Sequence, residues 1–334
     1  MDQFDLPEWF ARHTFHHTQF EPVSDLVAAK RRAGVTISVC IPTRNERATI
    51  GTTVRVVRQA LMEREPLVDE LVVMDAGSTD GTGEAAAAEG ATVVVETEVL
   101  PEEGTVPGKG DALWKSLYVC SGDVLCWVDA DIVNFHPRFV TGVVGPLLTH
   151  PELGYVKGFY ERPIRQSLGD GVQGPLSPTG GGRVTELLAR PLLNAFWPQL
   201  AGMVQPLAGE FAGRRELLER VPFYSGHGIE FGLLVDIARE AGIEVIAQVD
   251  LERRIHRNQD LQALSRMSFG ILQAATALLA EDCRFADGPW STVLAQFVRC
   301  EGHSQLELRK INVARRRPMV TVGAYRTRLA TNSR

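Results

Sequence analysis

Between residues 36 and 131, apolar and polar positions alternate in blocks whose lengths and periods set the fold class. Thr36 to Ile41 (TISVCI) is a continuous apolar, β-branched run closed by Pro42, and Ala48 to Leu61 then places Ile50, Val54, Val57 and Leu61 on one side at helical spacing. Glu70 to Met74 (ELVVM) predicts a second strand, ended by Asp75-Ala76-Gly77-Ser78-Thr79-Asp80-Gly81. An alanine-rich helix follows to about Glu89, and Thr92 to Val95 predicts a third strand. Gly110 to Cys120 predicts another helix, and Val124 to Val128 (VLCWV) a fourth strand ending in Asp129-Ala130-Asp131. Strands with no polar face, separated by helices, imply right-handed crossovers and a parallel sheet. The class is α/β, a mostly parallel sheet flanked by helices.

After residue 131 the alternation breaks down. Gly154 to Phe159 predicts a strand, Ile164 to Pro178 a Gly/Pro/Ser-rich loop, and Arg183 to Leu200 a helix interrupted at Pro191. Helices are predicted at Arg214 to Arg220, Ile229 to Ala241 and Leu261 to Leu279, with a strand at Glu244 to Val249. Four segments result: an N-terminal extension over 1–35, halves of one domain over 36–150 and 151–260, and a helical extension with a basic tail over 261–334.

The net charge of −6, from 35 basic and 41 acidic residues, argues against a surface coated for nucleic acid. Residues 301–334 depart from that average, with eight basic and two acidic residues, giving +6 against −12 for the rest; they read as a solvated terminus. The five cysteines form no C-x-x-C pair, and Cys40 and Cys126 fall in strand-like runs, which favours a reducing, cytoplasmic setting. The acidic start of the chain carries no signal-peptide pattern. Phe269 to Ala280, interrupted by Gln273, is shorter than the roughly 18 apolar residues that suggest a membrane span, so none is expected.

In parallel sheets ligands bind beyond the carboxyl ends of the strands. Polar residues collect there: Thr43-Arg44-Asn45-Glu46, Asp75, and Asp129 with Asp131. Two carboxylates one residue apart at a strand end can hold a divalent cation, which neutralises charge on a leaving diphosphate. Pro107-Gly108-Lys109-Gly110 opens a predicted helix, so its N–H groups and Lys109 could face a phosphate. It is one residue short of a Walker A spacing and lacks the Ser or Thr after lysine, which disfavours a nucleotide triphosphatase. Gly180-Gly181-Gly182-Arg183-Val184-Thr185-Glu186 places a glycine turn at a helix start, with Arg183 able to pair with a carboxylate or phosphate. Arg254-Ile255-His256-Arg257-Asn258 follows a predicted strand, and Glu230 sits at a helix start favoured by the dipole. His13, His16 and His17 resemble a ligand cluster but read as surface or packing residues. Trp9, Phe10, Phe15 and Phe20 read as a docking stripe.

Ile41-Pro42-Thr43-Arg44-Asn45-Glu46, Asp75 to Asp80, and Asp129-Ala130-Asp131, in this order and spacing, resemble the nucleotide-sugar-binding half of GT-A glycosyltransferases. Pro107 to Lys109, Thr179 to Leu188 (TGGGRVTELL), Gln205 to Phe211 (QPLAGEF) and His256 to Asn258 resemble more specifically the glucosyl-3-phosphoglycerate synthases and related mannosyl-3-phosphoglycerate synthases. The resemblance spans about residues 25 to 260. It implies a GT-A, Rossmann-like fold and retaining transfer of glucose or mannose from UDP-glucose, GDP-glucose or GDP-mannose to the 2-hydroxyl of 3-phosphoglycerate, assisted by Mg2+ or Mn2+. By motif it assigns Pro42, Thr43, Arg44, Glu46, Ala76, Lys109, Asp129, Ala130, Gly228, Glu230 and Arg254 to the donor. It assigns Gly182, Arg183, Val184, Thr185 and Asn258 to the acceptor, Asp131 and His256 to the metal, and Asp131, Glu230 and Arg183 to catalysis. Alanine stands at 76 and 130, where serine is frequent in the pattern. A cytoplasmic homodimer, without nucleic-acid or membrane partners, is the family expectation.

Two alternatives have their own signatures. A sugar-phosphate nucleotidyltransferase would place a glycine-rich basic loop after the first strand, where Pro42 to Glu46 stands. A non-catalytic sugar-nucleotide-binding protein would show no turnover to lose. For retention, attack on the face the diphosphate leaves is favoured over a carboxylate nucleophile, because no motif places a carboxylate beside the anomeric carbon.

Overall fold

The computed structural model describes residues 5–167, 173–177, 182–255, 260–282, 293–300, 303–311 and 313–332, with backbone alone for 164–167, 173–177, 293–300, 303–309 and 332. Eight strands form its main sheet: β1 (Thr14–His16), β2 (Ile37–Thr43), β3 (Glu70–Asp75), β4 (Thr92–Val95), β5 (Val124–Trp127), β6 (Tyr155–Glu161), β7 (Phe211–Arg214) and β8 (Ile246–Arg253). Their order is β1-β8-β6-β7-β5-β2-β3-β4, and all neighbours are parallel except that β7 runs antiparallel between β5 and β6.

The apolar runs form strands because both faces of the sheet are covered. Cys40, Val72, Met74, Leu125, Trp127 and Phe211 enter one core with Leu113 and Trp114 of helix Lys109–Val119 and the helices Ile229–Ala241 and Leu261–Glu281. Val39, Ile41, Val73, Cys126 and Ala212 enter the other, against helices Val23–Ala33, Arg47–Val57 and Arg138–Thr149. Successive residues thus supply opposite cores, the period-two consequence of a sheet buried on both faces.

Several expectations need correction. Pro42 does not close β2, which runs on to Thr43. Thr43 O accepts from Ala76 N on the β3 side, so Pro42 faces the other neighbour, and β5 ends opposite Cys40; its missing N–H removes no ladder bond. Ile164 to Pro178 is not all loop, since Ile164–Ser167 and Gln173–Ser177 pair antiparallel. The helix from Arg183 meets Pro191 not with a break but with a wider turn over Thr185–Ala189, after which Arg190–Phe196 continues. Most of the predicted helix Arg214 to Arg220 remains, as Arg215–Leu218, but its first residue ends β7, a strand the periodicity did not show.

The termini also differ from expectation. β1 extends the sheet edge, and Trp9 and Phe20 are buried, so residues before 35 are built into the domain. Leu261–Glu281 is long and apolar enough to cross a membrane by length and composition, but Gly270, Ile271, Ala274, Ala275, Leu278 and Leu279 bury one face in the protein core. Beyond it the chain is not simply helical, because Val293–Cys300 and His303–Lys310 form an antiparallel pair. Nor is the basic tail a solvated terminus. Arg315–Arg316 pairs with Phe223–Tyr224, Arg316 Nε donates to Asp111 Oδ1 at 2.7 Å, and Met319, Val322 and Tyr325 are buried. Arg315, Arg316 and Arg317 pair with Glu281, Asp111 and Glu103 of the domain, so the charge contrast signals docking rather than a free arm.

Candidate active site

The carboxyl ends of β2, β3 and β5 open into a cavity of about 530 Å³. Its floor is formed where β5 ends at Trp127 and the chain continues through Asp129, Ala130 and Asp131. Pro42, Thr43, Arg44, Glu46 and Ala76 line it, as do Gly182, Arg183, Val184 and Thr185 at the helix start. Lys109, Glu230 and Arg254 line it too. The cavity therefore unites most residues that the motifs single out from distant parts of the chain.

Gly228 is buried and does not itself line the cavity, although His227 and Glu230 beside it do; a Cβ there would stand 2.8 Å from Ala274 Cβ, so it packs against the helix Leu261–Glu281. His256 and Asn258 lie outside the described residues. Ile255, just before them, is fixed by N–H donation to Asn134 Oδ1 at 2.7 Å.

A charged cluster lies at the centre. Arg254, almost fully buried, donates through Nη2 to Asp129 Oδ2 (2.8 Å) and Asp131 Oδ1 (2.6 Å), and through Nη1 to the Tyr160 hydroxyl (2.7 Å). The same Nη1 is 3.3 Å from Glu210 Oε1. Lys109 Nζ donates to Asp129 Oδ1 at 2.5 Å and Glu230 Oε1 at 3.0 Å. Lys109 is thus held by two carboxylates at the cavity, where its motif places it toward the donor. Burial opposes every charge here. It pushes Glu210 up, whereas at Asp129 the two cations outweigh it and hold the carboxyl well below its usual range. The fully buried Lys157 is drawn down to about 7 by desolvation, and its Nζ donates to Ala208 O at 2.8 Å.

Glycines allow this convergence. A Cβ on Gly110 would lie 1.9 Å from Tyr224 O, and one on Gly108, at φ +125°, would lie 2.5 Å from Gly226 Cα. The start of helix Lys109–Val119 therefore presses directly on the segment that leads to Glu230. At Gly209 a Cβ would stand 2.1 Å from Asp129 Oδ2, so only glycine leaves room for that carboxylate. Sequence reasoning gave no site role to Gly209, Tyr160 or Arg162; the glycine beside Glu210 was the available signal, while Arg162, which lines the cavity and donates to Tyr160, carries no motif.

The donor set suits a hard dication. Asp129, Asp131, Glu210 and Glu230 bring four carboxylates against Lys109, Lys157 and Arg254, and Asp131 reaches the cavity with Oδ1 engaged by Arg254. Thr43 Oγ1 is buried without a hydrogen-bond partner on the cavity wall, as a position awaiting a polar ligand would be.

Comparisons with known proteins agree with this geometry. The model of Glycosyl transferase family 2 matches residues 38–221. The chain is 45% identical over 323 residues to the glucosyl-3-phosphoglycerate synthase of Petrotoga mobilis, covering 96% of this chain and 97% of that one. It is 43% identical over 314 residues to that of Mycolicibacterium smegmatis, covering 94% and 98%. Among solved structures, mannosyl-3-phosphoglycerate synthase from Rubrobacter xylanophilus superposes with a TM-score of 0.85 at 37% identity, covering 96% of this chain and 98% of that one. Glucosyl-3-phosphoglycerate synthase from Mycobacterium tuberculosis, in complex with Mn2+, UDP-glucose and phosphoglyceric acid, gives 0.78 at 42% identity, covering 92% and 97%. The mixed sheet with its carboxylate pair, the match over residues 38–221 and the near full-length relatives establish that this chain belongs to glycosyl transferase family 2, among the glucosyl-3-phosphoglycerate synthases.

Proposed function

We propose that this chain transfers glucose, with retention, from a nucleoside diphosphate glucose to the 2-hydroxyl of 3-phosphoglycerate. One observation carries the reading: the donor-motif residues Thr43, Arg44, Glu46 and Ala76, the acceptor-motif residues Gly182 to Thr185, and Asp129-Ala130-Asp131 all line one cavity. Relatives that carry the glucosyl-3-phosphoglycerate synthase name over nearly the whole chain support the substrate pair.

Asp131, with His256 as second ligand by motif, would hold Mg2+ or Mn2+, which when bound supplies charge neutralisation to the diphosphate. The remaining roles fall to the protein. Thr43, Arg44 and Glu46 bind the nucleoside, and Asp129, Ala130, Glu230 and Arg254 surround the sugar. The helix start at Gly182-Arg183, with Thr185, receives the anionic acceptor. The acceptor oxygen attacks the anomeric carbon on the face from which the diphosphate departs. The C–O bond to the diphosphate breaks, and the acceptor's proton passes to a diphosphate oxygen. Glu210 is fully buried and Glu230 is bound to Lys109, which supports this route over a carboxylate nucleophile.

A second reading, mannosyl transfer, has support in the superposition on the Rubrobacter enzyme. A panel of UDP-glucose, GDP-glucose and GDP-mannose with 3-phosphoglycerate and Mg2+ tests both, with the phosphorylated product read by mass spectrometry. Glucosyl product is expected; mannosyl product alone would select the second reading, and turnover of none would overturn both. A cytoplasmic homodimer belongs to the same proposal, supported by the buried free thiols of Cys40, Cys120 and Cys126 and by family expectation; analytical ultracentrifugation tests the dimer.

A further inference from the structure

At the sheet edge away from the cavity, β1 and the end of β8 bring together His16, His17 and Glu252, whose ligand atoms all lie within 4.8 Å of one another. His17 is 6% exposed, and both its ring nitrogens are buried without a hydrogen bond of acceptable geometry. Its Nε2 is nevertheless 3.2 Å from Glu252 Oε1, and its Nδ1 is 3.4 Å from Glu21 Oε1. Both nitrogens of this buried imidazole thus lie in ion-pair contact with a carboxylate, a concentration of negative charge around a buried ring that a bound cation would offset. His16 Nδ1 accepts from Thr18 N at 3.4 Å and lies 2.8 Å from the Thr18 hydroxyl, so Nε2 is the nitrogen that faces a ligand and would give up its proton on binding. The other oxygen of Glu252 lies 3.3 Å from Arg138 Nη1, so Glu252 offers one oxygen. Glu252 also has φ +66°, at the irregularity of β8 two residues before Arg254.

We infer that His16, His17 and Glu252 form a second cation site, separate from the carboxylate pair, for a borderline transition metal of the Zn2+ class. Two imidazoles and one carboxylate are a zinc-type donor set with room for water, whereas Mg2+ prefers oxygen alone. Glu21 takes the part of the carboxylate that orients a ligating histidine through its second nitrogen, and Thr18 does the same for His16. A bound ion would tie β1 to the backbone that presents Arg254. The three histidines at 13, 16 and 17 therefore divide. His13 stacks on Trp9 and contacts the Trp9 and Glu244 carbonyls and the Glu244 carboxylate, whereas His16 and His17 gather around Glu252.

The test uses the full chain, stripped with chelator and then saturated with Mg2+ and UDP so that the cavity is occupied. Zn2+ is titrated calorimetrically, and Co2+ is followed by its visible absorption. One equivalent of Zn2+ is expected to bind, with Co2+ bands of a nitrogen-containing low-coordinate site, and affinity should fall at least tenfold in His16→Ala and Glu252→Gln. These positions are less buried than His17, so the variants test ligation without emptying the core. Mg2+-supported transfer should be unchanged in His16→Ala. Loss of the Zn2+ isotherm in Asp131→Asn but not in His16→Ala would overturn the site, as would no Zn2+ binding to the parent chain.

Discussion

Arg254 Nη2 lies 2.8 Å from Oδ2 of Asp129 and so closes a contact between residues 125 apart in sequence. The same nitrogen reaches Asp131, and its neighbour Nη1 reaches Tyr160 and Glu210, so one planar fork spaces three carboxylates around the cavity floor. Lysine in its place would keep the charge and lose the fork. Arg254→Lys is therefore expected to lower kcat for transfer on the order of 100-fold with the fold retained. Circular dichroism and steady-state kinetics check it, and unchanged kcat would show that charge alone suffices.

Close backbone approach makes a second prediction. Gly110→Ala would drive a methyl into Tyr224 O, displacing the helix start that carries Lys109; destabilisation of about 1–3 kcal/mol or more is expected from overpacking. Gly270→Ala is the control, since the nearest atom to its Cβ is 4.0 Å away and alanine favours a helix. Urea midpoints should drop for the first and stay or rise for the second.

Much of this arrangement was legible in the chain itself, for physical reasons. β2, β3 and β5 are buried on both faces and so leave uninterrupted apolar runs, while the residues that follow them must be polar to meet a ligand. β7 was not legible: Phe211-Ala212-Gly213-Arg214 is short and glycine-containing, and its pairing partners β5 and β6 are distant in sequence. The docked tail was missed because the acidic partners of its arginines, Glu103, Asp111 and Glu281, lie elsewhere in the chain. The motif at Lys109 shows the helix start but not the carboxylates of Asp129 and Glu230 that fold onto it.

Metal and acceptor roles separate by kinetics. Asp131→Ala should reduce kcat on the order of 1,000-fold, the several kcal/mol a dication contributes to charge neutralisation, and should abolish the dependence on Mg2+ concentration. Arg183→Ala should raise KM for 3-phosphoglycerate roughly 10- to 100-fold, as loss of a charge-assisted pair predicts, with little change in KM for the donor. An unaltered acceptor KM would remove Arg183 from that site.

Asp236 sets a pH dependence of stability. Burial raises its carboxyl to about 6 despite Arg315 and Arg239, and its Oδ2 is buried without a hydrogen-bond partner. The unfolded chain releases this proton near pH 4, so between about 4 and 6 the folded state binds more protons. Stability contributed by the protonated form is complete below that window and is lost as pH rises through about 6. Asp236→Asn cannot titrate, so its stability relative to the parent should rise across pH 4 to 6, by up to about 3 kcal/mol, and level off above. Denaturation midpoints at half-unit pH intervals measure it; a difference independent of pH would refute the assignment.

No enzyme-bound sugar should form during transfer. A double displacement needs a carboxylate free to attack the anomeric carbon. Glu210 has no exposed surface, is raised by burial and faces Arg254; Glu230 is held by Lys109 at 3.0 Å. Either would have to leave its cation to react, stranding a buried charge at a cost of several kcal/mol. A 2-fluoro donor analogue, incubated with the protein and Mg2+ without acceptor, should therefore leave its mass unchanged, and peptide mapping should find no adduct. A glycosyl group on Glu210 or Glu230 would establish the double displacement and discard same-face attack.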